Sequence, residues 1–445
     1  MVGTGVSREV VRHAYDRTLQ AYDRTLLFAP LLRFVCRGPT VMDAATRRWR
    51  TALFLFMLAA GTGMASWVAR TPAVRDGLDV STGSMGLVLF GLSTGSMAGV
   101  TASGPLVRRY GGRATISVGA SLIVAGLLVV AVGTSLSLAG GVFCGLALFG
   151  GGMGLAEVAF NIEGAAIESI IEKPVLPVLH GCFSLGTVVG ALLGMALTAA
   201  AFPVGWHLSA VAVLIAAAAV RAVLLIPHGT GREAAGTANS ASGQGGWRGQ
   251  LRVWQDRRLV LIAVIVLAMA FAEGAANDWL PLLMVDGYHV SATAGSLTFL
   301  AFASSMTLGR FAGGPLLERF GRVKVVRVSA VTAAVGLVLV IVSPSPLVAG
   351  AATVLWGLGA SLGFPVTLSA AGDHPHDAAA RVGAVATAGY IAFLVGPPAL
   401  GFLADHIGLR LTMTVVLALL IVASTLAGAL GSGRRAGTEP APVTP

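Results

Sequence analysis

Charge is what this chain has least of. Of its 445 residues, 11% are Asp, Glu, Lys or Arg, against about 25% in soluble domains. That shortage excludes an ordinary water-soluble fold. Lysine is nearly missing, with only Lys173 and Lys324. Cysteine is scarce as well. Cys36, Cys144 and Cys182 share no framework spacing, and the last two sit in apolar runs, so neither a disulfide scaffold nor a thiolate metal site is expected. No basic patch with interleaved aromatic residues occurs, which excludes nucleic acid as a partner. No ATPase motif is present and no cofactor is expected.

What remains is apolar. Hydrophobic residues make up 55% of the chain and the mean hydropathy is +0.82. Runs of ~20 apolar residues, enough to cross ~30 Å of hydrocarbon at ~1.5 Å per residue, recur at roughly 51–70, 82–106, 115–134, 138–161, 176–201, 206–226, 258–281, 292–316, 325–343, 347–370, 382–404 and 411–430. They lack the alternation of barrel strands, and no unpaired backbone can face lipid, so each is expected to be a helix. The fold class is therefore an all-α membrane protein with twelve transmembrane helices. A polar segment rich in Gly, Ser and Ala, 228–257, reads as a flexible linker between a first half, 50–227, and a second, 258–431. Residues 432–445 form a tail. Residues 1–49 read as a cytosolic extension, or as starting only at Met42, since "AYDRTLQAYDRTL" resembles neither a signal peptide nor a span.

Arginine placement sets the orientation. Arg47, Arg48 and Arg50 precede the first span, Arg108, Arg109 and Arg113 follow the second, and Arg232, Arg248, Arg252, Arg257 and Arg258 lie between the sixth and seventh. Arg319, Arg322, Lys324 and Arg327 follow the eighth, and Arg434 and Arg435 stand in the tail. All fall on one side, whereas the opposite loops offer little beyond Arg70, Arg75 and Arg410. The positive side is the cytosolic one, so both termini are expected inside a bacterial cell membrane.

A phrase recurs within this layout. "GPLVRRYGGR" begins at Gly104, "GPLLERFGRVK" at Gly314, and "GFLADHIGLR" at Gly401 on the opposite side. The shared frame is Gly, three residues, a charge, two residues, Gly. Recurrence after spans two, eight and eleven implies halves built from inverted three-helix repeats. The leading glycine permits close helix approach, the second turns the loop, and the arginines hold it at the surface.

Acids inside the spans are the next signal, because holding an ionised acid at mid-bilayer costs ~3 kcal/mol even on a lenient scale. In span four, Gly150, Gly154, Glu157, Asn161 and Gly164 follow one another at steps of four, three, four and three, giving a small, polar face. In span seven, Glu273 and Asn277 stand four apart, with Asp278 and Trp279 behind them. Neither helix offers a Lys or Arg beside these carboxyls. Glu157 is expected to lie toward the cytosol and Glu273 toward the outside, both as functional acids facing a wet cavity. Asp278, Glu163 and Glu168 are expected at the interfaces. His180 reads as a solute contact or proton relay, or as a histidine satisfied by its neighbours. "GLSTG" at 91–95 fits a hydrolase elbow and "GLGASLG" at 357–363 brushes a dinucleotide fingerprint, but both lie inside spanning helices, where helix packing explains them. "DHPHD" at 373–377 reads as a solvated turn rather than a metal clasp.

The layout and the repeated phrase resemble the major facilitator superfamily, whose signature after the second helix is G-x-x-x-D-R-x-G-R-R. Gly104, Arg109, Gly111 and Arg113 match it. Arg108 stands where the family has Asp, and Gly112 where it has Arg. The second copy supplies Gly314, Glu318, Arg319, Gly321 and Arg322. In the family the acid latches the two halves, so the reversed charge of Arg108 calls for an acidic partner, with Asp373 and Asp377 the nearest in sequence. "GLAEVAFN" is similar to the helix-four phrase of fucose permease and its relatives, and Glu273 six residues before Trp279 to their helix seven. The resemblance implies proton coupling at Glu157 and a solute site including Asn161, His180, Glu273, Asn277 and Trp279. Helix one lacks that branch's aspartate, offering Thr62, Ser66 and Arg70, which argues against fucose itself; the phrase "HGCFSLGTVVGALLG" looks closer to rhizopine-associated transport proteins. The expected function is secondary active transport by alternating access, as a monomer in a lipid bilayer, by proton symport of a small polar solute such as a sugar or cyclitol derivative. The alternative is proton-driven export of a drug or metabolite. Ala191 stands where exporters of the superfamily carry the proline of a G-P pair, which favours uptake.

The topology is directly testable. In a cysteine-free background, Ser240→Cys is expected to resist an impermeant thiol reagent in intact cells and Ser345→Cys to react. Labelling of Ser240→Cys from outside overturns the orientation.

Overall fold

The computed structural model describes residues 43–171, 175–227, 230, 253–373 and 378–431. The chain divides into two compact units, Met1–Ala44 and Ala45–Pro445. The first lies almost wholly outside the described residues, and the membrane helices make up the second. Most of the 228–257 linker and the tail lie outside the described residues too. Every described element is helical.

Six helices come first: α1 (Ala44–Leu78), α2 (Thr82–Tyr110), α3 (Gly112–Ser135), α4 (Ala139–Ile171), α5 (Leu176–Ala199) and α6 (Val204–Leu225). After the linker, α7 (Arg257–Tyr288) is followed by a continuous run, Ala292–Val342, of 51 residues. Straight, such a run would reach ~75 Å, more than twice the hydrocarbon thickness. It is broken at Gly321, with φ 74° and ψ 161°, into α8 (292–320) and α9 (322–342). Ala378–Leu426 is broken in the same way at Gly408, with φ 77° and ψ 155°, into α11 (378–407) and α12 (409–426), which ends in a turn of 3₁₀ helix, Ala427–Leu430. Counted as continuous helices, ten among the described residues are long and apolar enough to cross a membrane; counting the legs on either side of Gly321 and Gly408 separately gives the twelve expected.

Span ten departs from expectation. Hydropathy predicts one unbroken helix over 347–370, and the structure has two pieces, Pro346–Ala360 and Gly363–Ala371, together α10. Pro365 explains the break, since it has no N–H for the Ser361 carbonyl four residues back and its ring crowds that carbonyl. Helices α1, α4 and α7 also outrun their apolar cores, carrying polar ends beyond the expected boundaries.

The halves share a turn. Positive φ marks Gly111 at +86°, Ala201 at +49°, Gly321 and Gly408, at the ends of α2, α5, α8 and α11. Ala201 closes a fourth copy of the repeated frame, Gly194 to Thr198 to Ala201, hidden because Thr and Ala replace the charge and the glycine. The four copies are the structural mark of inverted three-helix units.

Glycine also sets the packing between helices. A Cβ on Gly95 of α2 would lie 1.9 Å from the Ala147 carbonyl oxygen of α4, and one on Gly150 of α4 would lie 2.0 Å from the Leu92 oxygen. "GLSTG" is therefore a seam, and Gly150 and Gly154 belong to that seam and not to the polar face of α4. Outward, Val132, Val213, Leu224 and Val328 are exposed on long helices, an aliphatic surface suited to hydrocarbon.

Gly408→Ala is expected to cost about 1–3 kcal/mol, because its φ and ψ belong to glycine alone, although nothing lies within 4 Å of the added methyl. Gly314→Ala, equally open but with ordinary helical backbone, should be close to neutral. Unfolding temperatures of the two purified variants check this; equal values sink the backbone argument.

Candidate functional site

The polar groups of the spans converge where the halves meet. On α4, Glu157 is exposed and Asn161, one turn on, is half-buried. Asn161 Oδ1 lies 3.1 Å from Nε2 of His180 on α5. One turn along α5, the Ser184 hydroxyl accepts a hydrogen bond of 3.1 Å from Arg310 Nη1 of α8. Arg310 Nη2 in turn donates to Glu273 Oε1 of α7 at 2.8 Å. A continuous polar line thus runs α4, α5, α8, α7, and the Arg310–Ser184 bond crosses from one half to the other. Thr307, one turn before Arg310, adds a second crossing by donating to the Ser184 carbonyl at 3.3 Å.

Glu157 faces the same space. Tyr390 of α11 lies close enough to feel its charge, which places the carboxyl between the halves and not against lipid. Among the described residues Glu157 forms no hydrogen bond or ion pair. Arg310 acts electrostatically on His180, so the two arms of the cluster are neighbours. Asn277 and Asp278 on α7 are half-buried.

Two expectations about the acids and their neighbours need correction, and a third needs refinement. Glu273 does have a cation beside it, Arg310, with side-chain exposures of 13% and 29%; the partner comes from α8, and spacing along α7 alone does not reveal it. A signal was available, since an arginine inside an apolar run is itself anomalous. Trp279, expected to touch solute, is fully buried, its ring standing 3.1 Å from where a Cβ on Gly401 of α11 would be. Glu163, expected at an interface, does lie beside a membrane-face turn, but it is completely buried there and not solvated. Its Oε1 accepts from the Thr230 hydroxyl at 2.7 Å beside Gly112, at the start of α3, where the helix dipole favours an acid. Glu168, nearer the end of α4, caps α5, accepting from the amides of Val175 and Leu176 at 2.6 and 2.9 Å.

The repeated loops divide by side. On the arginine-rich side, Arg108, Arg109 and Glu318 are exposed. Among the described residues Arg108 forms no ion pair; Asp373, its expected partner, is held by Arg322 at 2.5 Å, and Asp377 lies outside them, as do His374 and His376. Arg109 and Arg319 lie over the neighbouring rings of Tyr110 and Phe320, each at 5.3 Å, and Arg113 donates to the Ile226 carbonyl at 3.3 Å. At the linker's end, Asp256 caps α7 on Arg258 N at 2.8 Å and pairs with Arg381. Partial burial pushes the Asp256 carboxyl up, and these hydrogen bonds outweigh that and hold it below its ordinary range.

The opposite side is tied across the halves. Asp405, the acid of the third copy, accepts from Gly83 N at 2.9 Å and Ser81 Oγ at 3.0 Å, capping α2 from α11. Arg75 at the end of α1 pairs with Asp286 at the end of α7, and Ser296 Oγ donates to the Ala69 carbonyl at 2.9 Å. Three ties thus join the two halves on that side.

A family model described as Major Facilitator Superfamily matches residues 177–397 and 262–442. An uncharacterized MFS-type transporter of Yersinia pestis is 29% identical over 394 residues, covering 88% of this chain and 97% of that protein. Membrane protein MosC of Rhizobium meliloti is 24% identical over 374 residues, covering 84% and 88%. Among solved structures, a variant of the nucleoside transporter NupG superposes with a TM-score of 0.70 at 12% identity, over 87% of this chain and 100% of that one. The E. coli fucose:proton symporter FucP gives 0.61 at 16% identity, over 88% and 100%. Likeness at such identities fixes the fold alone.

Arg310→Gln and Glu273→Gln are each expected to lower the unfolding temperature, because each strands a half-buried charge, and the double variant to recover most of the loss. Additive losses in that cycle would show that the pair is not coupled.

Proposed function

The chain belongs to the Major Facilitator Superfamily, a multi-pass membrane transporter and not an enzyme, and on that premise we propose that it takes up a small polar solute, a sugar or cyclitol derivative, together with a proton. The observation that carries the reading is the contrast between two acids. Glu273 has Arg310 as its counter-charge. Glu157 stands open between the halves with no partner among the described residues. An ionised carboxyl in that position cannot be sealed into a dry cavity without losing several kcal/mol of hydration, whereas the protonated acid can. Binding a proton at Glu157 therefore licenses closure around solute, and exposure to the cytosol, where the proton leaves, permits release.

The solute site in this proposal is the line of Asn161, His180, Glu273 and Asn277, with Arg310 added and Trp279 behind it as packing. The arginine-rich loops lie in the cytosol, with both termini, in a bacterial inner membrane. The ties of Asp405 and Arg75 then lie on the outer face, and the conformation is closed outward. The loops with Arg108 and Glu318 work as the inner gate. The chain acts as a monomer within the bilayer, with solute and proton as its only partners. FucP is named as a fucose:proton symporter, and another structure of the same fold as a D-xylose-proton symporter, which is the company a proton-coupled sugar carrier would keep.

In proteoliposomes, Glu157→Gln is expected to abolish accumulation driven by a pH gradient while retaining solute exchange, since the amide mimics the protonated acid but cannot cycle. Accumulation that survives the substitution overturns proton coupling at Glu157; loss of exchange as well would move Glu157 into the solute site.

A further inference from the structure

The central cluster holds one arginine that the sequence did not point to, and its surroundings constrain the solute. We infer that Arg310 contacts the solute directly, and that its pairing with Glu273 makes the site select an uncharged polyhydroxy compound over an organic anion. The inference rests on the transporter reading above and names the solute class of that same site.

A guanidinium has five N–H donors. Arg310 spends one Nη2 proton on Glu273 and one Nη1 proton on Ser184, which leaves three N–H donors on a side chain that retains 29% exposure. His180 and Asn161 pair on one arm, where Arg310 acts on His180, and Asn277 stands one turn past Glu273 on the other helix; amide and imidazole groups can both donate and accept. Hydroxyl groups, which donate and accept at once, suit such a lining.

Charge decides against anions. The positive charge of Arg310 is matched by Glu273 at 2.8 Å. An entering carboxylate or phosphate would meet a cation already neutralised, with the Glu273 carboxylate beside it. Glu273 is thus a specificity residue: it fixes the guanidinium in place and withholds its charge from solute. Removing that acid while keeping Arg310 should turn the same pocket into one that accepts an anion bidentately, as free arginines do.

The test uses the purified full-length protein, with D-glucuronate as the anionic probe and a pool of uncharged aldoses and cyclitols as the neutral one. Thermal unfolding of Glu273→Gln is expected to shift upward saturably with glucuronate, at a half-saturating concentration at least ten-fold below that for wild type, and the shift should vanish in Glu273→Gln combined with Arg310→Gln. Glucuronate stabilising wild type equally well overturns the inference, and so does a Glu273→Gln protein that gains nothing. A second measurement needs no substitution: phenylglyoxal modification of Arg310, read by mass spectrometry, should be slowed by the neutral pool and not by glucuronate. Protection by glucuronate, or by neither, overturns it. Failure of proton coupling at Glu157→Gln would leave these binding results standing, so the two readings fail separately.

Discussion

A charge within hydrocarbon must be paired, wetted or moved to an interface, and the architecture of this chain depends on how few charges it keeps and where it puts them. Most arginines of the described helices sit near helix ends. Asn161, His180, Glu273 and Arg310, left inside the spans, are drawn to the place where the two bundles of helices meet. Glu273 and Arg310 neutralise each other there. Glu157 has no such counter-charge among the described residues, and that contrast is what the proposed proton coupling rests on.

The same constraint shapes the backbone. Helices satisfy their own amides, so the chain can change direction only at the membrane faces, and it does so with positive-φ turns at Gly111, Ala201, Gly321 and Gly408. Glycine within the helices lets α2 and α4 approach to backbone contact, which fixes the rotation of α4 and aims Glu157 and Asn161 away from that seam. Packing thus determines which part of a polar stripe reaches the centre. Gly150 and Gly154 share the stripe in sequence but not in space.

The repeated loops show how one device is used unequally. Asp405 caps α2 from the other half and helps to close one side. At the equivalent place on the opposite side, position 108 carries the reverse charge and position 318 is exposed. An acid at a helix N-terminus is favourable and an arginine there is not, so the two sides differ in what can hold them shut. The Arg322–Asp373 pair joins α9 to the end of α10 within one half.

The sequence by itself determined the membrane setting, the twelve apolar legs, the duplicated plan and the two acids at the centre of the proposal, because hydropathy, arginine bias and an ionisable residue in an apolar run are properties of short stretches. It also carried Asn161, His180 and Asn277 by their spacing and likeness to a known phrase. Partners on other helices were beyond its reach. That Arg310 meets Glu273, that Asp373 goes to Arg322 and not to Arg108, that Trp279 is packing, and that Glu163 lies buried at the start of α3 were decided only in the tertiary structure. Each depends on the rotation and offset of one helix against another, and those are set by contacts between residues tens to hundreds of positions apart, which no local pattern records.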